Sequence, residues 1–325
     1  MTARPGAIPI LIGVVGILFV LSIVVGRVTL TWDVWAAQDV ISRTILVELR
    51  LPRAILGVLV GASLGLAGAA MQGYLRNALA EPGTLGISAM SALGAVLSIF
   101  FNIAGLHPWV LPICGVLGGM SGMMILFVLS GRTASALTLV LSGIILSALA
   151  IAGISLALSL SPSPWAAQEI VRWMLGGLTD RSFDELTIAA PLIVVGCVAV
   201  LGCRRPLDAL TLGETGARSL GIDLNRAQWQ LAIGIGLIVG GSTAVTGVIG
   251  FVGLIVPHLM RPLVGSRPGA LLVPSAIGGA ALVLAGDIVV RLLPGGSELE
   301  LGVMMSLIGA PFFFVLLHSM RRKLT

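Results

Sequence analysis

The chain has 325 residues, of which 57% are hydrophobic and only 10% are charged, and its mean hydropathy is +1.09. An uncharged run of 50 residues, from 82 to 131, is far longer than a segment of a soluble core, so the composition excludes a soluble domain and indicates a polytopic membrane protein. Glycine is distributed through long apolar runs, which favours helices over the short alternating strands of a membrane barrel. We therefore predict an all-α fold.

Several kinds of chemistry are also excluded. Lys323 is the only lysine, so the chain has no P-loop for nucleotide hydrolysis. Cys114, Cys197 and Cys203 form no CxxC pair and the histidines lie far apart, so we predict no metal site, no bound cofactor and a packing role for the cysteines. The pI of about 10.0 arises from basic residues scattered between apolar runs, which suits arginines that set topology better than nucleic-acid binding.

Uncharged windows predict nine spanning helices in chain order. The first follows Arg4 and is longer than the hydrophobic region of a typical signal peptide, so we interpret it as a spanning helix. The windows are 8–26, 54–75, 84–103, 108–130, 135–158, 186–203, 228–247, 268–286 and 301–320.

A tenth, abbreviated element is predicted between Gly250 and Leu263. The uncharged run 227–260 has 34 residues, enough for one span and a short helix. With ten helices and a cytoplasmic N-terminus, the inner side carries a net charge of +8 and the outer side −3, in line with the excess of arginine found on cytoplasmic sides. Nine helices would leave the basic cluster 321–323 outside, so we predict ten helices in a compact bundle with both termini in the cytoplasm.

Small residues recur every four positions from Gly57 to Gly73, a pattern that lets another helix approach closely within lipid. A weaker repeat has the same spacing in two places: Gly61, Ser63 and Gly68, and Gly240, Ser242 and Gly247. The two segments run in opposite directions in the predicted topology, so a genuine relation would be an inverted repeat. Chance is the alternative in a chain with 43 glycines.

Eight blocks of sequence resemble the membrane permeases of type II ABC importers, the FecCD-like family that moves iron chelates, haem and cobalamin. Together they extend from residue 49 almost to the end of the chain. The blocks are LRLPR (49–53), GASLGLAGAAMQGYLRNALAEPGTLGIS (61–88), LVLSGI (139–144), RWMLGG (172–177), LTLGETGARSLGI (210–222), GFVGLIVPHLMRPLVG (250–265), GDIVVRLL (286–293) and SLIGAPFFFVLL (306–317).

The chain departs from the family pattern at a few positions. Ala78 and Glu300 stand where proline is usual, Met305 replaces a threonine, and TDRSF at 179–183 lacks the usual tryptophan. These positions lie near loops that shape the substrate route, so they leave the cargo more open than the architecture. The blocks at 172–177 and 212–221 resemble those of cobalamin permeases more than those of many siderophore permeases, whereas an iron chelate is the broader expectation.

The resemblance implies a single permease domain over residues 1–325 in the bacterial inner membrane. It also implies a second copy of the chain, two cytoplasmic ABC ATPases that hold ATP and Mg²⁺, and a periplasmic substrate-binding protein. The chain itself would be a transport subunit and not an enzyme. Two other functions are the alternatives. An ion-coupled secondary transporter needs carboxylates inside the spans, and the uncharged windows contain none. A membrane-embedded enzyme needs an acid–base or metal cluster, which the few charges at the edges of the spans do not form.

Residues 204–226 are polar but interrupted by apolar side chains, which predicts short amphipathic helices broken at glycine on the inner side. The resemblance implies that they form the coupling loop, which rests in a groove on the ATPase. A helix at the lipid headgroups is the alternative. The predicted coupling residues are Leu207, Leu210, Gly213, Glu214, Ala217, Arg218, Leu220 and Gly221.

Arg50, Arg53 and Arg291 are predicted at the outer face, with Pro52 starting the second helix. Guanidinium groups pair with carboxylates in a bidentate manner, and the resemblance implies that these arginines receive acidic residues of the binding protein. The alternative is that they anchor helix ends at lipid headgroups.

The resemblance places the inner gate before the block at 139–144, at Ser135, Ala136, Leu137 and Thr138. These small and mostly apolar residues suit a path that must not trap a large chelate. The same residue types are ordinary packing material, so the lining of the path stays open.

Overall fold

A computed structural model describes residues 6–26, 43–130, 136–161, 163–293 and 299–321. These residues form helices and no strands, so the all-α prediction is confirmed for the described chain. Short 3-10 turns lie at Ala104–Leu106 and Leu210–Leu212. The helices are α1 (Ala7–Val24), α2 (Ile45–Tyr74), α3 (Ile87–Phe100), α4 (Val110–Ser130), α5 (Ala136–Ser159), α6 (Pro164–Leu175), α7 (Phe183–Gly202), α8 (Arg204–Ala209), α9 (Gly213–Ser219), α10 (Leu224–Thr246), α11 (Val252–Val264), α12 (Pro268–Leu292) and α13 (Leu301–Arg321).

Ten apolar helices match the predicted number within the described residues. Seven are long and apolar enough to cross a membrane, and the other three are the shorter helices α3 and α11 and the apolar stretch Leu301–Leu316 of α13. The predicted abbreviated element is α11, which has 13 residues. Five of the basic residues that enter the charge difference, Arg4, Arg27, Arg132, Arg322 and Lys323, lie outside the described residues.

The helices α6, α8 and α9 lie in connections between the spans. The uncharged windows do not predict α6, because this helix has only 12 residues and carries charges that end such a window. It is nevertheless a well-formed amphipathic helix, since Ser163 caps its first turn by accepting a hydrogen bond from the backbone N–H of Ala166 at 3.2 Å.

The helix α2 begins earlier than Pro52, which was predicted to start it. Its first six residues, Ile45–Arg50, form a π-helical turn, and a regular α-helix follows from Leu51 to Tyr74. Proline has no N–H, and its ring crowds the carbonyl group four residues earlier. A wider π turn before Pro52 relieves that conflict and lets the helix continue.

The helix α12 extends six residues beyond its predicted window, which stopped before Asp287. The side chain of Asp287 is only 1% exposed. The expectation that the spans contain no carboxylate is therefore wrong. A window of uncharged residues cannot include a buried aspartate, even when its charge is balanced by Arg291 one helical turn later and by Arg53, which is distant in sequence.

The Gly-Ser repeat corresponds to a contact at the centre of the bundle. The hydroxyl oxygens of Ser63 in α2 and Ser242 in α10 lie 3.1 Å apart, and both residues are buried. Two segments related by an inverted repeat meet at equivalent residues where they cross the symmetry axis. The contact therefore gives the sequence repeat a geometric meaning that chance spacing would not have.

The glycine stripes pack in the same inverted manner. In α2, a Cβ atom on Gly61 would collide with the backbone of Gly279 in α12, and one on Gly65 would collide with Ser275. In α10, the equivalent close contacts are with α4. Gly240 lies against Gly119, and Ala244 lies against Gly115.

Equivalent residues in the α2–α12 and α10–α4 contacts are thus separated by constant differences in residue number. The α2 residues differ from their α10 equivalents by 179 positions, and the α4 residues differ from their α12 equivalents by 160. Both short helices also follow a residue with left-handed backbone, Gly86 before α3 and Phe251 before α11. We infer an inverted structural repeat that relates α2–α4 to α10–α12.

Candidate functional site

The coupling segment, residues 204–221, lies at one end of the bundle, called the coupling face below. It consists of α8, the 3-10 turn Leu210–Leu212 and α9, so it has the short helices broken at glycine that the sequence predicts. Gly213 and Gly221 have φ angles of 83° and 76°. Both lie in the left-handed region that glycine adopts without strain.

Three of the predicted coupling residues anchor the segment to the bundle. Leu207, Leu210 and Ala217 are buried, at 0%, 6% and 0% exposure. Leu207 packs beside Gly73 near the end of α2. These side chains hold the segment in place and are not available to a partner.

The remaining predicted residues face away from the bundle. Glu214 and Arg218 are exposed and lie 3.8 Å apart one helical turn from each other. Leu220 is 62% exposed, and Leu212, which was not among the predicted residues, is 67% exposed. The coupling face therefore presents two leucines on an otherwise polar surface, a pattern that fits an apolar groove on a partner.

Asp208 fastens the coupling segment to α12, and the sequence analysis did not single it out. Its carboxylate accepts hydrogen bonds from the backbone N–H of Gly269 at 2.7 Å and from Nε of Arg267 at 2.9 Å. A carboxylate at the first turn of a helix satisfies free N–H groups and the helix dipole. The sequence feature that could have indicated this role is an aspartate in a segment that is rich in arginine.

Arg50, Arg53 and Arg291 gather at the opposite end of the bundle, called the arginine face below. Arg50 is 6% exposed and donates to the carbonyl oxygens of Ile23 at 3.0 Å and Val24 at 2.7 Å. It therefore occupies carbonyl groups at the end of α1 that have no partner within the helix.

The other two arginines enclose Asp287. Arg53 lies 2.8 Å from its Oδ1 atom and Arg291 lies 2.7 Å from its Oδ2 atom. Arg291 also donates to the hydroxyl group of Ser22 at 2.6 Å and to the carbonyl oxygen of Val25 at 2.9 Å. Together the three arginines join α1, α2 and α12. Their predicted role in docking a binding protein stays a prediction, because these contacts are all within the chain.

The predicted gate residues lie at the start of α5. Ser135 is outside the described residues, and Ala136 to Thr138 form the first turn of the helix. Thr138 is exposed. Their role as a gate stays a prediction.

A charged cavity of about 650 Å³, called the vestibule below, opens on the arginine face. It lies between the α3–α4 connection, α6, the start of α7 and the end of α10. Its charged lining residues are Glu169, Arg172, Asp180, Arg181, Asp184, Glu185 and Glu300, which leaves an excess of three negative charges.

Two departures from the family pattern meet in the vestibule. A carboxylate oxygen of Glu300 occupies the space that a side chain on Gly177 would need, and residues 179–181 line the same cavity. Burial lowers the pKa of Arg181, and the nearby carboxylates of Glu185, Asp180 and Glu300 oppose that shift. The guanidinium group thus lies within a cluster of acids.

Backbone contacts join three helices beside the vestibule. Gly177 donates its N–H to the carbonyl oxygen of Thr246 at 2.7 Å, and Gly302 donates to Gly176 at 2.8 Å. The end of α6, the end of α10 and the start of α13 are thereby held together. Gly177 and Thr246 also line the cavity.

Glu81 is a further buried acid, in the connection between α2 and α3. Its carboxylate accepts hydrogen bonds from the backbone N–H groups of Phe251 and Gly253, at the start of α11. Burial raises its pKa to about 7, although these two hydrogen bonds act in the opposite direction. The residue links two connections of the inverted repeat.

Within the described residues, no group of three or more His, Cys, Asp or Glu side chains is arranged to hold a metal ion. The cysteines Cys114, Cys197 and Cys203 are free thiols. Cys203 is buried, and its Sγ atom lies 3.7 Å from the carbonyl oxygen of Ala227.

Comparison with known proteins extends over nearly the whole chain. The FecCD transport family matches residues 14–319. The chain is 36% identical over 320 residues to the vitamin B12 import system permease protein BtuC of Vibrio cholerae, which covers 95% of this chain and 92% of that protein. It is 37% identical over 278 residues to the Fe(3+) dicitrate transport system permease protein FecD of Escherichia coli, covering 85% and 86% of the two chains.

A solved structure has the same architecture. A metal-chelate type ABC transporter in an inward-facing conformation superposes with a TM-score of 0.85 and 32% identity, over 97% of this chain and 99% of the other. The similarity therefore includes the coupling face and the arginine face together.

Proposed function

Since the chain belongs to the FecCD transport family, we propose that it is the membrane-spanning permease subunit of an ABC importer that carries a metal chelate into the cell. Two copies of the chain form the path, and two ABC ATPases on the cytoplasmic side bind ATP and Mg²⁺ and supply the energy. A binding protein delivers the chelate from outside. The chain contributes no covalent chemistry of its own.

The coupling face is the observation that carries this proposal. Leu212 and Leu220 are exposed on short helices that Asp208 and buried leucines fix to the bundle. Such a surface transmits the movement of a partner because it yields less readily than a flexible loop. Movement of the ATPases would pass through Asp208 into α12, which spans the bundle to the arginine face.

We infer the orientation of the chain in the membrane from the distribution of its basic residues. We place the coupling face and both termini in the cytoplasm and the arginine face outside, because arginines concentrate on the inner side in the ten-helix topology. The chain then lies in the cytoplasmic membrane of a bacterium with its vestibule open to the outside.

We assign binding-protein docking to the arginine face. Acidic residues of the binding protein would approach Arg50, Arg53 and Arg291, where they would compete with Asp287 and the end of α1. The residues 135–138 would form the inner gate between the two copies. The cargo belongs to the iron-chelate, haem and cobalamin class.

Reconstitution of the chain with its ATPase and binding protein in vesicles tests the coupling assignment. The variants Leu212→Glu and Leu220→Glu should still insert, but ATP hydrolysis should no longer respond to the loaded binding protein. Leu106→Glu is the control for insertion and for basal ATP hydrolysis, because Leu106 is 76% exposed in the α3–α4 connection on the other face, away from the ATPases. Coupled transport that persists in both coupling variants would refute the assignment.

A further inference from the structure

A second cavity lies on the coupling face. It has a volume of about 420 Å³ and is formed by the end of α2, the residues after it, α11, the start of α12 and the coupling segment. Its polar lining residues are Gln72, Arg76, Asn77, Thr211, Arg261 and Ser266. Apart from Thr211, which belongs to the coupling segment, the proposed transport cycle gives these residues no role.

The charged residues that line this cavity are all basic among the described residues. Arg76 and Arg261 line it, and no carboxylate is among the described lining residues. In the part of the chain that the structure describes, neither arginine has an acidic residue within ion-pair distance. Two guanidinium groups that share a cavity without an anion repel one another, so an anion that enters it gains energy from both.

Arg261 is held in place by a neutral partner. One of its Nη atoms donates to Oε1 of Gln72 at 2.6 Å, and Gln72 in turn donates to the carbonyl oxygen of Gly253 at 3.1 Å. The amide group of Gln72 is thereby oriented by the backbone of α11, and it fixes the guanidinium group without neutralising it. A single hydrogen bond to an amide leaves other N–H groups of Arg261 for a ligand.

The start of α12 also borders the cavity. Pro268 and Leu271, in the first turn of this 25-residue helix, line it. The partial positive charge of this helix end is balanced by Asp208, whose two oxygens are engaged by Gly269 and Arg267. The positive charge available to a ligand therefore comes from Arg76 and Arg261.

From these contacts we propose that the cavity binds a phosphate group. Arginine matches the geometry of phosphate oxygens, and basic cavities between membrane helices on the cytoplasmic side suit anionic headgroups. The group could belong to an acidic phospholipid or to free phosphate, since both present the same oxygens. Because Thr211 of the coupling segment lines the cavity, the bound group would join that segment to α2 and α11. The phospholipid source rests on the orientation proposed above, in which the coupling face is cytoplasmic, whereas the anion site itself does not depend on the proposed transport function.

Binding to the purified full-length chain in neutral detergent tests the proposal. Short-chain phosphatidylglycerol, short-chain phosphatidylcholine and inorganic phosphate are titrated separately, with thermal stability as the signal. The variants are Arg76→Gln and Arg261→Gln. Arg205→Gln is the matched control, because Arg205 is an exposed arginine of the coupling segment that does not line the cavity.

We expect phosphatidylglycerol, inorganic phosphate or both to raise the unfolding temperature of the wild type more than phosphatidylcholine does. The apparent Kd should rise at least about tenfold in Arg76→Gln and Arg261→Gln and stay unchanged in Arg205→Gln. A response to phosphatidylglycerol alone identifies a lipid headgroup, and a response to inorganic phosphate alone identifies the free anion.

The proposal is overturned if neither anion stabilises the wild type, or if the stabilisation survives both cavity variants. Should Arg261→Gln fail to fold because it also releases Gln72, Arg76→Gln decides the question, since the side chain of Arg76 is exposed and has no partner among the described residues.

Discussion

The hydroxyl oxygens of Ser63 and Ser242 lie 3.1 Å apart where α2 and α10 cross. The same two helices make equivalent glycine contacts with α12 and α4. In lipid, where apolar burial does not drive helices together, such close approach of backbones supplies the packing energy. The stability of the bundle should therefore depend on the absence of side chains at these crossings.

Gly61→Ala tests this dependence. The added Cβ atom would collide with the backbone of Gly279, so we expect the free energy of unfolding to fall by about 2 kcal/mol or more. Gly16→Ala is the control, because nothing lies within 4 Å of a Cβ atom there. Chemical denaturation in detergent measures both. Equal stability of the two variants would mean that the α2–α12 contact is looser than described.

The arginine face has both a buried ion-pair cluster and an exposed ion pair, whose contributions to stability can be compared. Asp287→Asn removes the carboxylate that Arg53 and Arg291 share in a buried site, which should cost about 3–5 kcal/mol. Asp180→Asn breaks the pair with Arg172, whose side chains are 74% and 65% exposed, and should cost less than about 1 kcal/mol. Thermal unfolding compares the two. A small effect of Asp287→Asn would mean that the shared carboxylate contributes little to the stability of the arginine face.

Glu81 should make stability depend on pH. Its pKa is about 7 in the folded chain, against an ordinary value of 4.5. Between these values the unfolded chain has lost a proton that the folded chain keeps, so the free energy of unfolding should fall as the pH rises, by about 3 kcal/mol in all.

Glu81→Gln should flatten this dependence, because glutamine does not ionise and can still accept hydrogen bonds through its carbonyl oxygen. Glu48→Gln is the control, since Glu48 is exposed. Unfolding is measured from pH 5 to pH 8. If the slope is the same in wild type and Glu81→Gln, Glu81 is not the group that titrates.

The negative charge of the vestibule should make transport depend on the charge of the chelate. Its excess of negative charge attracts cationic or neutral chelates and repels anionic ones. With proteoliposomes that contain the ATPase and binding protein, Glu300→Gln should raise uptake of a trianionic ferric catecholate relative to a cationic ferric hydroxamate by about two- to fivefold. Glu48→Gln, outside the cavity, should leave the ratio unchanged. An unchanged ratio in Glu300→Gln would mean that the cargo does not pass the vestibule.

Much of the architecture could be predicted from the sequence because hydropathy reports directly on the surrounding lipid. The abbreviated α11 followed from the length of one uncharged run, and the glycine stripe on α2 indicated a close helix contact before any partner was known. The sequence showed the relation of Ser63 to Ser242 only as a repeated spacing. The structure was needed to show that the two residues meet where their helices cross.

The parts that could not be predicted depend on partners distant in sequence. Asp287 ended an uncharged window, although Arg53 allows it to lie inside a helix. Asp208 and Leu212 differ from their neighbours only in what they touch, the first at the start of α12 and the second at the surface. The π turn before Pro52 likewise follows from geometry that composition does not contain.

The central claim is that the coupling face and the arginine face lie on opposite sides of the membrane. It is tested most directly by cysteine labelling in a chain whose own three cysteines are replaced, with Ser219→Cys on the coupling face and Asp184→Cys beside the vestibule. In intact cells, an impermeant maleimide should label the Asp184→Cys variant only, and it should label Ser219→Cys after the membrane is permeabilised. Labelling of Ser219→Cys in intact cells would contradict the account.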